Sequence, residues 1–155
     1  MKLFGPERFK VTFDPEKCTA KFSKLANMSI PKLYVVVADG AVIYVGKAQT
    51  PMRQRFYGGW KATGKNGYHG YAWRHTHTDA DVFVWYQEDD SQEASVNLET
   101  IEAEVVFLIR RAGQWPAGQT EIHFHPSGQE HRALAAEVLK ALDLKPGPRV
   151  PAESV

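Results

Sequence analysis

Cysteine is almost missing. Cys18 is the only one in 155 residues, so no internal disulfide can staple the fold, and the chain suits a reducing, cytoplasmic setting. No run of about 18 apolar residues occurs, so no helical membrane span and no membrane partner are expected. The start of the chain, MKLFGPERFK, has no long apolar stretch and does not read as a signal peptide. An excess of one charge is missing too: 19 Lys+Arg against 18 Asp+Glu and a formal net charge of +1. A protein that coats nucleic acid is usually far more basic, so any such contact has to come from a local patch. Internal repeats and low-complexity blocks are absent.

What is present is a globular composition, 43% hydrophobic and 24% charged, at a length that fits one domain with a real core. We place that domain at 31–144, with 1–30 as an N-terminal extension packed on it and the proline-rich 145–155 as a flexible tail. Phe9, Val11 and Phe13 alternate with polar residues, as in a short edge strand. The runs LYVVVA at 33–38 and AVIYVG at 41–46 flank an Asp39-Gly40 turn and form a hairpin, and 81–87 supplies a third strand. Thr50-Pro51 starts a helix that runs toward Tyr57. A glycine-rich aromatic segment, 60–79, reads as a long loop, and TEIHFH as a short strand. Leu98, Ile101, Val105, Leu108 and Ala112 stripe one helix that Gly113 ends; Leu134, Val138 and Leu142 stripe another over 129–144. The fold class is α+β: a small, mainly antiparallel three-stranded sheet flanked by helices, with extra elements at both ends.

The hairpin places Tyr34 in one strand and Tyr44 in the other, and parity decides whether they meet. A two-residue Asp39-Gly40 loop in a regular ladder puts them on opposite faces. A three-residue loop over 38–40, with Gly40 left-handed, sets Tyr34 directly opposite Tyr44 with both hydroxyls on one face. Both registers fit the residues; the second is preferred.

The segment KLYVVVADGAVIYVGKAQTPMRQRF resembles the GIY-YIG nuclease superfamily. Its two motifs stand here as Lys32-Leu33-Tyr34 and Tyr44-Val45-Gly46, followed by Lys47-Ala48 as in the excision-repair nuclease subunit. Lys32 and Leu33 replace the glycine and isoleucine of the first motif. The family's helical arginine before an apolar residue falls on Arg55, with Arg53 as the fallback. Its metal-binding glutamate, ahead of a leucine-isoleucine pair and basic residues, falls on Glu104 in IEAEVVFLIRR, with Glu102 as the second candidate. The family's asparagine near a proline has no counterpart after Pro116; Gln119, Glu121 and His123 are the residues available.

The resemblance implies a metal-dependent DNA endonuclease. Glu104 would hold Mg2+ or Mn2+ in a mostly aquo shell. Arg55 would bind the scissile phosphate, and Tyr34 or Tyr44 would help deprotonate the attacking water. A free tyrosine titrates near ~10, so that role calls for a neighbouring cation, Lys47 or Arg55. Lys47, Arg53, Lys61 and Lys65 lie in the most basic window of the chain, 47–65, which has no acid, and are candidate DNA contacts; Tyr57 and His69 are candidate accessory residues. The protein would act as a monomer or a homodimer. Competing readings are a zinc site among His69, His75, His77, His123 and His125, and a non-catalytic nucleic-acid-binding or protein-interaction domain on the same fold.

Overall fold

Among the described residues, five strands carry the β-branched and aromatic runs: β1 (Phe4–Asp14), β2 (Lys17–Thr19), β3 (Lys32–Ala38), β4 (Ala41–Ala48) and β5 (Asp79–Tyr86). The computed structural model of the chain describes residues 2–14, 17–19, 21–54, 79–87, 91–114 and 126–144. The strands form one sheet in the order β2-β1-β5-β3-β4, antiparallel at every pairing. The antiparallel α+β architecture agrees with the expectation, but the three-stranded count does not. The run expected as a short edge strand lies in the 11-residue β1, where Phe9 and Val11 pair with β5 alone, as at an edge. The short β2 adds to it only at 12–14.

Around β3, β4 and β5 the sheet is buried on both faces, while β1 exposes Arg8, Lys10 and Thr12. On one, Leu33, Val35, Val37, Val42, Val45, Phe83 and Trp85 meet α1 (Gln92–Arg111). Helix α2 (Gln129–Leu142) packs chiefly on α1 through Ala135, Val138 and Leu142. The other face carries Val11, Tyr34, Val36, Ile43, Tyr44, Val82, Val84 and Tyr86, covered by Ala26 and Met52 with Phe22 and Ile30 packed alongside. This two-sided burial explains why β3 and β4 read as continuous apolar runs rather than alternating ones.

Helix α1 begins at Gln92, a full turn and more before the expected 98, because Ser91 is its N-cap: the hydroxyl accepts the Ala94 N–H at 3.1 Å. Gly113 (φ 92°) ends it as expected. α2 stops at Leu142, two residues short of the expected end, where Asp143 turns left-handed (φ 47°). Among the described residues no helix is long and apolar enough to cross a membrane.

The end of α1 is fastened to the hairpin by one buried amide. Gln114 Oε1 accepts the Val42 N–H at 2.8 Å, and Gln114 Nε2 donates to the Gly40 carbonyl at 3.0 Å. Among the described residues β4 is an edge strand, so the glutamine satisfies backbone groups of Val42 and Gly40 that no described strand reaches. Gln114→Leu strands the buried Val42 N–H and unpairs the half-buried Gly40 carbonyl, and is expected to destabilise the fold by about 1–3 kcal/mol. Urea denaturation checks the loss, and faster amide exchange at Val42 locates it.

Candidate active site

Asp39 (φ 53°) and Gly40 (φ 76°) both take positive φ, as the two central residues of a type I′ turn require. The turn therefore has two residues, not the preferred three. Ala38 faces Ala41 and Val37 faces Val42, but Val36 then faces Tyr44 and Tyr34 faces Gly46. The register shifts between Val36 and Val37, where Ile43 is an extra residue in β4. Ile43 and Tyr44 consequently share a face. The direct pairing of Tyr34 with Tyr44 is thus corrected to a diagonal one. The expected outcome survives by another route: both rings lie on one face, with centroids 5.8 Å apart and planes at 43°. Tyr34 is fully buried and Tyr44 nearly so.

Tyr34 lies across Gly46. A Cβ built on Gly46 would meet the Tyr34 ring carbons at 2.6 and 2.8 Å and its hydroxyl at 2.7 Å. The glycine of Tyr44-Val45-Gly46 is therefore a seat for the phenol, and it directs the Tyr34 hydroxyl over the edge strand.

Lys32, where the resembled motif has glycine, is also on this face and wholly buried. Its ammonium donates to the carbonyls of Met28 (2.5 Å), Ile30 (2.9 Å) and Thr50 (3.0 Å). Three donors meet three acceptors, which is the full capacity of the group. Burial pulls its pKa from 10.5 down to about 8. Lys32 thereby ties segment 28–30 to the start of the helix at 52–54. The same junction is held by Met52 N–H to Ala26 O at 3.0 Å and Arg53 N–H to Asn27 Oδ1 at 3.0 Å.

A further polar group on this face went unnoticed in the sequence. Glu7 Oε1 accepts both the Tyr86 hydroxyl (2.5 Å) and the Ser23 hydroxyl (2.9 Å). Burial first, and the Glu7 hydrogen bond second, push the Tyr86 phenol far above its ordinary range, so it stays protonated and cannot serve as a base. The signal was available: Glu7 is in step with Phe9 and Val11, and so falls on their face of β1. A bulge between Phe4 and Glu7 sets that phase.

Lys47 is not beside the tyrosines. Alternation along β4 turns it to the helix face, where its ammonium donates to Ser95 Oγ (2.9 Å) and pairs with Glu99 Oε1 (2.5 Å). The expectation that it supplies the cation near a tyrosine base is corrected accordingly. Arg53 is exposed. Arg55, Tyr57, Lys61, Lys65 and His69 lie outside the described residues, as do His75, His77, Gln119, Glu121, His123, His125, the segment 60–78 and TEIHFH.

The two candidate glutamates of α1, Glu102 and Glu104, fall on different flanks. Glu102 lies about two turns after Ser95, and Glu104 about two turns after Asn97, each on nearly the same line of the helix. Ser95 and Glu99 reach Lys47 of β4. Asn97 instead meets His131 of α2, Oδ1 to Nε2 at 2.8 Å. Gln114 sits at Val42 and Gly40 while Ser95 sits at Lys47, so α1 runs antiparallel to β4. Glu102 is therefore carried along the β4 edge and is buried, 9% exposed. Glu104 is carried toward α2 and is half-buried. Among the described residues no group of three or more His, Cys, Asp and Glu is placed to hold a metal ion. A single carboxylate with water in the remaining positions is the donor set available there, and it suits a hard, well-hydrated cation.

No family model matches the chain, and neither curated proteins nor solved structures give a match.

Gly46→Ala is expected to displace the Tyr34 ring and destabilise the fold by about 1–3 kcal/mol. A double-mutant cycle checks the cause: in a Tyr34→Val background the same alanine should cost much less. An equal cost in both backgrounds would mean that the ring is not what Gly46 accommodates.

Proposed function

We propose that this chain is a metal-dependent DNA endonuclease of the GIY-YIG type. The observation that carries the reading is the tyrosine pair. Two tyrosines from the two strands of one hairpin share a face, and the glycine of the second motif is the seat of the first tyrosine's ring. That gives a reason for the spacing of tyrosine, tyrosine and glycine which ordinary core packing does not require.

In this reading Tyr34 and Tyr44 hold and help deprotonate the attacking water. With Lys47 committed to Glu99, the cation that lowers a tyrosine's pKa and binds the scissile phosphate is an arginine. Arg55 takes that role from the motif alone. The resemblance gives the metal-binding carboxylate to Glu104, whereas the flank geometry supports Glu102, which borders edge strand β4 and would reach the tyrosine side round that edge. We assign the role to Glu102. A divalent ion there, Mg2+ or Mn2+, would supply charge neutralisation at the phosphate and the leaving oxygen. The protein's own residues orient the water, hold the phosphate and fix the ring geometry.

The test is a cleavage assay on supercoiled plasmid and on branched and single-stranded DNA, with Mg2+ or Mn2+ against EDTA. Wild type should cut only with metal. Tyr34→Phe and Glu102→Gln should each lower the rate by roughly 100-fold or more, while Glu104→Gln stays within a few-fold of wild type. The reverse order of the two glutamate variants would return the carboxylate role to Glu104. Metal-independent DNA binding without any cutting would instead favour a non-catalytic binding domain.

A further inference from the structure

We propose that residues 21–30 form a preorganised DNA-contacting surface, in which Lys21 and Lys24 meet backbone phosphates while Leu25 and Met28 press against the groove. The proposal rests on the reading of DNA as substrate, though not on cleavage.

The segment covers the tyrosine face. Ala26 is fully buried in the same cluster as Tyr34, Tyr44 and Met52, and Phe22 packs edge-on against Phe9 with centroids 5.1 Å apart. Residues 23–27 make a single helical turn, closed by Asn27 N–H to Ser23 O at 3.2 Å and Ala26 N–H to Ser23 Oγ at 3.1 Å. The turn is tied down by Ser23 to Glu7, by Lys32 to Met28 and Ile30, and by Asn27 and Ala26 to the backbone of Arg53 and Met52. A loop of ten residues held at so many points has little conformational entropy left to lose on binding.

Its outward surface has one chemistry. Residues 21–30 contain no acid. Lys21 and Lys24 are exposed, three residues apart, and among the described residues neither has an ion-pair partner. Arg53, also exposed, is brought alongside by its backbone bond to Asn27. Between these cations stand Leu25 at 41% and Met28 at 45% exposure, two of the four large hydrophobics left exposed among the described residues. Water is a poor partner for such a pair, and Lys21 and Lys24 beside it call for an anionic one. Duplex DNA satisfies both: phosphates for the lysines and a groove into which an apolar wedge can press. On a chain whose net charge is only +1, a fixed local patch is also the form that DNA binding has to take.

The experiment measures binding of the full chain to a short fluorescent duplex by anisotropy, in EDTA to prevent cutting, across a salt series. Lys21→Ala/Lys24→Ala should weaken binding roughly tenfold and reduce the slope of log K against log salt by about 1.8. Leu25→Ser/Met28→Ser should weaken binding about threefold and leave the slope unchanged. Lys140→Ala, an exposed lysine on α2, controls for net charge and should leave the slope near the wild-type value. Melting curves confirm that each variant is folded. Wild-type affinity and slope in the folded lysine double variant would overturn the proposal, as would a Lys140 effect of the same size. Failure to bind duplex at all would overturn it as well. If the variants behave as expected but wild type never cuts with metal, the surface stands and the nuclease reading falls.

Discussion

One extra residue in β4 governs the tyrosine face. The turn at Asp39-Gly40 has the backbone twist that antiparallel strands favour, but with a regular ladder behind it that turn would send Tyr34 and Tyr44 to opposite sides of the sheet. Ile43 breaks the ladder once. Before it, pairing follows the turn; after it, every β4 side chain has changed face. Gly46 then arrives opposite Tyr34 with room for the phenol, and Lys47 is delivered to the helix side, where Ser95 and Glu99 take it up. Were Ile43 paired in a regular ladder, Tyr44 and Gly46 would both fall on the other face. The aromatic pair, its glycine seat and the ion pair to α1 are therefore consequences of a single bulge.

The second constraint is that α1 has two dissimilar flanks. On one, Ser95 and Glu99 bind the edge strand; on the other, Asn97 accepts from His131 of α2. His131 Nδ1 also accepts the Gly128 N–H at 2.9 Å, so it caps α2 as a glutamate would in a capping box. That leaves Nε2 as the donor toward Asn97. Glutamates two residues apart on such a helix serve different neighbourhoods: one borders the hairpin, the other a helix–helix seam. Sequence spacing measures angles from the buried stripe, but not which neighbour occupies each side of it. For that reason spacing and resemblance pick Glu104 ahead of Glu102, and only the strand order weighs the other way.

Much of the fold was legible. Two-sided burial writes β3 and β4 as unbroken apolar runs, and the stripe through Leu98, Ile101 and Val105 gives α1 its phase. That Tyr34 and Tyr44 share a face was also reached, through a turn of the wrong length, because two errors of parity cancel: a three-residue loop and a two-residue loop with a bulge shift the faces equally. What the residues did not disclose depends on distant partners. Nothing near Gln114 marks it as the clamp on Val42 and Gly40. Ser91 was the readable signal for the start of α1, a capping residue passed over inside a polar stretch. β2, three residues long, is too short to leave a pattern.

The tyrosine face also shows how ionisable groups can be buried without pairing with one another. Lys32 and Glu7 are both on it, yet each is satisfied separately, the lysine by three carbonyls and the glutamate by two hydroxyls. An ion pair between them would have to offset two desolvation costs by one contact. Spreading each group over several dipoles avoids that and also orders more of the chain, since the partners come from three places in it: residues 21–30, Thr50 and Tyr86. Where the resembled motif has a glycine, Lys32 therefore adds a knot joining the N-terminal segment to the start of the helix after the hairpin. The cover over the two tyrosines is held by directional bonds rather than by apolar contact alone. Geometry at the rings thus depends on residues 21–30, which makes the N-terminal segment part of the tyrosine face rather than an accessory to it.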